Sequence, residues 1–196
     1  AFAGAKADGR AFAQQALEQG ATAVVSDSPA PEGFAGPWIQ VEHGRTAMAA
    51  ISRRYYGAPD DSLAVTGVTG TNGKTTTVYC IDAMLRHTGR VTGMVGTILY
   101  RIAGEERAAV NTTPDSLDLM RLMSETRAAG GTHFTFEVSS HALALRRVEA
   151  QVVRPGLRRA EHVAGRQHDA LAQGALRQRR RVAAAPRHVI GQAHPQ

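Results

Sequence analysis

Apolar residues recur at the spacing of short helices and strands up to about residue 150, and beyond it no apolar period outlasts a turn. Arg10 to Gln19 mixes small, apolar and polar residues at helical spacing and stops at Gly20. Thr22-Ala23-Val24-Val25 and Trp38-Ile39-Gln40-Val41 read as strands on either side of a Pro- and Gly-rich loop at 29–37. Ala47, Ile51 and Tyr55 then line one face of a helix that ends before Gly57. Leu63-Ala64-Val65 reads as a strand running into a glycine-rich loop. The loop feeds a helix from Lys74 to about His87 with Val78, Ile81, Met84 and Leu85 on one face. A strand over Thr92–Ile98 and a hairpin over Leu99–Val110 turning at Gly104 follow. Thr113 and Pro114 supply the cap and first position of a helix reaching Ala129. Phe134, Phe136 and Val138 alternate along a last strand, which leaves Glu137 near its carboxyl end. Open parallel sheets bind ligands there, so Glu137 is expected to face the glycine-rich loop.

The expected class is α/β. A partial αβ domain (1–58) precedes an incomplete, mostly parallel domain with a phosphate loop (59–150), and Ala58-Pro59-Asp60-Asp61 reads as the linker. Of 196 residues, 43% are apolar, enough for a globular core. The single cysteine, Cys80, leaves no internal disulfide framework and fits a reducing cytosol. No run approaches the roughly 20 apolar residues of a membrane span, and the opening Ala1-Phe2-Ala3-Gly4 does not resemble a signal peptide. The chain opens on what reads as the middle of a strand, so a fragment is expected, cytoplasmic and monomeric.

Charge changes the picture only after residue 150. The whole chain carries +6, yet residues 151–196 hold nine arginines against Glu161 and Asp169, a net of +7. That segment contains no Phe, Tyr, Trp or Lys. Three readings fit it: a disordered basic tail, a nucleic-acid-binding arm, or coding DNA read out of frame. The break inside an element that should continue favours the last, so a nucleic-acid partner is not expected.

The richest chemistry lies in Thr66-Gly67-Val68-Thr69-Gly70-Thr71-Asn72-Gly73-Lys74-Thr75-Thr76-Thr77. Glycines allow backbone N–H groups to wrap a polyphosphate, Lys74 reaches the terminal phosphates, and the Thr75 hydroxyl completes the shell of a magnesium ion. The helix that follows sets its N-terminus under the phosphates. ATP and Mg2+ are the expected ligands.

The common form of this loop is GxxxxGK(S/T), whereas here Val68 stands where the first glycine would be. Thr69-Gly70-Thr71-Asn72-Gly73-Lys74-Thr75 instead resembles the variant of the Mur ligases. Gly96-Thr97-Ile98, Asn111-Thr112-Thr113-Pro114 and Glu137-Val138-Ser139-Ser140-His141-Ala142-Leu143 follow in an order and spacing similar to the MurE-type ligases, and the likeness covers about residues 1–150. It implies that ATP phosphorylates the D-glutamate carboxylate of UDP-MurNAc-L-Ala-D-Glu, and that the acyl phosphate is attacked by a diamino acid, meso-diaminopimelate or L-lysine. Gly70, Thr71, Asn72, Gly73, Lys74, Thr75 and Thr76 would bind ATP, with Thr75 and Glu137 as metal ligands. Asn111, Thr112, Thr113, Ser139 and Arg147 would hold the muramoyl dipeptide. Lys74, Glu137 and His141 would be catalytic, His141 at a second metal. Ala5–Ala7 would lie against the nucleotide sugar, and Leu145 replaces a glutamine of some relatives.

Plainer roles stay open for single residues. Asn111–Pro114 alone fits a helix cap, Glu137 a solvent-facing strand end, His141 a helix start and Arg147 a solvated charge. The Asp-His loop and the carbamylated lysine that follow in the family are not recognisable after residue 150, so the chain is expected not to complete the reaction. A nucleotide-binding remnant and a related ligase such as folylpolyglutamate synthetase are the rivals.

Overall fold

The computed structural model describes residues 1–2, 8–140, 142 and 148, all within one compact unit spanning Ala1–Arg154. The expectations at Ala5–Ala7, His141, Leu143, Leu145, Arg147 and 151–196 lie outside the described residues.

The chain opens with a 3-10 turn at Gly9–Phe12. The Asp8 carboxylate caps it, accepting from the Arg10 N–H at 3.0 Å. Helix α1 (Ala13–Glu18) leads to strand β1 (Val24–Ser26), which pairs in parallel with β2 (Trp38–Gln40). Helix α2 (Gly44–Tyr55) follows, but its inner face differs from the expected one. Gly44, Ala49 and Ser52 are buried, whereas Ile51 and Tyr55 are exposed. Helix α2 packs against helix α4 (Ser116–Ala128), while Gly44 at its start lies against Phe2 and the Asp27 carboxylate. Arg127 of α4 donates to the Tyr56 and Gly57 carbonyls at 3.0 and 2.8 Å.

The larger sheet has the order β3-β7-β4-β5-β6. Strand β7 (His133–Glu137) lies between β3 (Ala64–Val68) and β4 (Thr92–Val95), parallel to both. The β5–β6 hairpin (Leu99–Ile102 and Glu105–Ala108) is antiparallel and turns at Ala103-Gly104. The strand expected over Thr92–Ile98 therefore stops at Val95. Gly96-Thr97-Ile98 reverses the chain, and the Gly96 N–H donates to the Leu99 carbonyl at 3.2 Å.

Residue parity divides the sheet. Phe134 and Phe136 of β7, with Val95, Tyr100 and Ile102, join Leu119, Met120, Leu122 and Met123 of α4 in the main core. The intervening residues Thr135 and Glu137 are also buried, because helix α3 (Lys74–His87) covers the other face. Here too the expected apolar stripe is displaced: Met84 is 62% exposed, while Asp82 is fully buried between α3 and the sheet. Its carboxylate accepts from the Thr92 hydroxyl at 2.6 Å and pairs with Arg101, which also pairs with Glu106. A periodicity reading sends an acid to solvent; this one is inside because a cation on the neighbouring strand meets it.

Thr113 does not cap α4. The cap is Asp115, whose carboxylate accepts from the Leu117 and Asp118 N–H groups at 3.1 Å each, and the helix begins at Ser116. Among the described residues, no helix is long and apolar enough to cross a membrane.

The buried Asp82 gives a stability prediction. Asp82→Ala leaves Arg101 with Glu106 alone and should destabilise the chain by about 3 kcal/mol in denaturant titration. A loss below about 0.5 kcal/mol, the scale of an ordinary surface change, would mean that the pair does not tie α3 to the sheet.

Candidate active site

Three parallel strands end side by side at Val68, Val95 and Glu137, and the site is built at these carboxyl ends. After Val68 the chain runs through an exposed loop, residues 69–73, into α3. Gly73 takes φ +79° immediately before the helix, a left-handed turn that an L side chain resists. The first N–H groups of α3 have no intrahelical partner and point back towards the loop. Lys74 stands at the first helical position, and its ammonium donates to the carbonyls of Gly70 and Thr71 at 2.7 and 3.3 Å. The lysine thus curls over the loop whose amides would wrap a phosphate, and both contacts are to exposed, neutral acceptors that an anion can replace.

Glu137 is 1% exposed, which settles one alternative: it is not a solvent-facing strand end. Its Oε1 accepts from the Thr97 N–H at 2.8 Å. Its Oε2 accepts from the hydroxyls of Thr75 at 3.1 Å and Thr97 at 3.2 Å. Parity aims this side chain at α3, where Thr75 sits in the first turn. No cationic side chain among the described residues pairs with it. A buried carboxylate held only by neutral donors calls for a cation. The donor set is all oxygen, as magnesium prefers, and the 3.1 Å between Thr75 Oγ1 and Glu137 Oε2 matches two neighbouring corners of an octahedron with bonds of about 2.1 Å. The described residues contain no cluster of three His, Cys, Asp or Glu side chains. Magnesium held by one carboxylate and substrate phosphates needs none.

The Asn-Thr-Thr-Pro segment arrives beside the same strand end. The Thr113 hydroxyl donates to the Glu137 carbonyl at 2.8 Å and accepts from the Ser139 N–H at 3.1 Å. The Ser139 hydroxyl accepts from the Ala142 N–H at 3.1 Å. The Tyr100 hydroxyl accepts from the Asn111 N–H at 3.0 Å; burial pushes the Tyr100 hydroxyl pKa upward. The Asn111 residue is exposed and Thr112 half-buried, both open to a ligand.

The structure thus brings together Lys74, Thr75, Thr113, Glu137 and Ser139, with Asn111 and Thr112 at the edge. His141 and Arg147 lie outside the described residues. Sequence reasoning used Gly96-Thr97-Ile98 only as a spacing marker and missed the contacts of Thr97. It also passed over Tyr79, one turn after Thr75, whose buried hydroxyl has no hydrogen-bond partner among the described residues and whose pKa is pushed up by burial. A Gly-Thr pair ending a buried strand was the available signal for Thr97; nothing local marked Tyr79.

Comparison with known proteins gives a consistent set. Residues 68–156 match the model of the Mur ligase middle domain, and residues 1–56 match that of the Mur ligase family, catalytic domain. The chain is 60% identical over 148 residues to the UDP-N-acetylmuramoyl-L-alanyl-D-glutamate–2,6-diaminopimelate ligase of Solibacter usitatus, covering 76% of this chain and 30% of that protein. The protein of the same name from Halalkalibacterium halodurans is 43% identical over 141 residues, covering 72% and 29%. A solved structure of a ligase of that name superposes with a TM-score of 0.59 at 31% identity, over 70% of this chain and 28% of that one. The MurF ligase of Thermotoga maritima, solved in complex with ADP, shares the fold, with a TM-score of 0.51 at 23% identity over 79% and 32%. The chain spans about 30% of the length of the curated relatives it matches.

The isolation of Glu137 gives a second prediction. Glu137→Gln removes a buried charge without a cation partner among the described residues. Its amide oxygen can still accept from the Thr97 N–H and its NH2 can donate to the two hydroxyls, so in metal-free buffer the variant should melt at or above the temperature of the unmodified chain. It should also lose any stabilisation by millimolar magnesium. A melting point several degrees lower, equivalent to more than about 1 kcal/mol, would show that the carboxylate is already compensated.

Proposed function

This chain belongs to the Mur ligase family, and from that premise we propose that it carries the nucleotide end of an ATP-dependent amide ligase. The proposed reaction joins a diamino acid to the D-glutamate side-chain carboxyl of UDP-MurNAc-L-Ala-D-Glu, a step of peptidoglycan precursor synthesis in the cytoplasm. The diamino acid proposed is diaminopimelate, the one named in the relatives above. The observation that carries the reading is the buried Glu137 carboxylate, held 3.1 Å from Thr75 at the mouth of the phosphate loop.

The proposed roles combine this geometry with what the family likeness implies. Amides of residues 70–73 and of the first turn of α3 take the phosphate oxygens, and Gly70, Thr71, Asn72, Gly73, Lys74, Thr75 and Thr76 form the ATP cradle. Lys74 exchanges the Gly70 and Thr71 carbonyls for terminal phosphate oxygens, where charge develops. Thr75 and Glu137 would hold magnesium, which when bound would supply neutralising charge to the phosphates.

A carboxylate oxygen of the substrate attacks the γ-phosphorus and ADP leaves with the bonding pair, giving an acyl phosphate. The amine of the diamino acid then attacks the acyl carbon, phosphate departs, and the nitrogen loses a proton. Asn111, Thr112 and Ser139 address the dipeptide, and Thr113 locks that segment to the end of β7 through the Glu137 carbonyl and the Ser139 N–H. His141 and Arg147 complete the set by family likeness.

Nucleotide binding tests this reading on the chain itself. The chain should bind ATP with magnesium, and Lys74→Ala should weaken the affinity roughly tenfold to a hundredfold, the loss of one charge-assisted phosphate contact. Calorimetric titration showing equal affinity in the two proteins would contradict it.

A further inference from the structure

We infer that Thr97, together with Gly96, is a positioning residue that orients the Glu137 carboxylate so that one oxygen, Oε2, is left for the metal; the inference rests on the ATP- and magnesium-binding reading above. Thr97 supplies two of the three hydrogen bonds found on this carboxylate. Its backbone N–H, which cannot rotate away, fixes Oε1 at 2.8 Å. The two donors on Oε2 are hydroxyls, and each keeps lone pairs on its far side. The carboxylate is therefore pinned on one oxygen and adjustable on the other.

Gly96 makes the approach possible. A Cβ at this residue would lie 3.0 Å from Glu137 Oε1 and 3.7 Å from the Tyr79 ring, so a side chain there would push on the oxygen that Thr97 holds. Tyr79 follows Thr75 by one turn of α3, and its ring backs the Gly96 position while Thr75 reaches Oε2. The chain reversal after β4 does not need the Thr97 contacts, because the Gly96 N–H bond to the Leu99 carbonyl already closes it. The amide and hydroxyl of Thr97 are directed out of the turn, to a carboxylate 40 residues away in sequence.

The test is a magnesium titration of nucleotide affinity in the full chain, with ADP as the probe, repeated in EDTA. Thr97→Val removes the hydroxyl at nearly constant volume. It should raise the magnesium concentration giving half of the affinity gain about tenfold while leaving the EDTA affinity within about twofold, the range seen when a partner of a metal ligand is lost. Thr97→Ser should restore the unmodified titration, and Gly96→Ala, which presses on the other oxygen of the same carboxylate, Oε1, should shift it in the direction of Thr97→Val. An unshifted magnesium midpoint in Thr97→Val overturns the inference, as does an equal loss of affinity with and without magnesium. If the unmodified chain binds no nucleotide at all, the ATP-binding reading fails first and takes the inference with it, so the two failures are distinguishable.

Discussion

Strand β7 has no free face, and the arrangement of the larger sheet follows from that constraint. Its even-numbered residues, Phe134 and Phe136, fill the core beneath α4. Its odd-numbered residues, Thr135 and Glu137, are sealed beneath α3 instead. A strand with parallel neighbours on both sides and helices above and below cannot lend a side chain to solvent except past its end. Glu137 is the last residue before that end. It stays buried, but within reach of the N-terminus of α3 and of the turn after β4. The same packing that stabilises the sheet places a carboxylate, without a cation, beside a phosphate loop.

The parts legible in the sequence are those whose partners are sequence neighbours. The glycine-rich loop and α3 were readable because strand, loop and lysine lie within a dozen residues, and the observed helix spans Lys74–His87 as expected. The Phe134–Val138 alternation and the hairpin at Gly104 were readable for the same reason. What failed depended on distant segments. The burial of Asp82 displaces the apolar stripe expected for α3, and nothing near it in sequence announces its partner Arg101, 19 residues on. The apolar stripe of α2 was misplaced because the approach of α4 selects Ala49 and Ser52 over Ile51 and Tyr55. Thr113 resembled a cap because it precedes proline, yet its hydroxyl is held by the end of β7 and leaves capping to Asp115.

The site divides in the same way. Lys74, Thr75 and Glu137 were named from motifs, and the structure places them together. Two of the three hydrogen bonds on the Glu137 carboxylate come from Thr97, and Gly96 lies close enough to Oε1 that a Cβ there would sit 3.0 Å from it. A motif records that a Gly-Thr pair stands at a given spacing; only the packing of β4 against β7 reveals what the pair holds. Likeness to the Mur ligases is strong across the described residues, so chemistry inferred from the site and chemistry named in the relatives point the same way.

On the proposed reading Thr75 and Glu137 would hold magnesium together with nucleotide phosphates. A crystal structure of the full chain with magnesium and a non-hydrolysable ATP analogue tests it most directly. The expected result is magnesium held by the Thr75 hydroxyl and the Glu137 carboxylate together with phosphate oxygens. Nucleotide bound on the loop with Glu137 still hydrogen-bonded only to Thr75 and Thr97, and the metal held elsewhere, would contradict it.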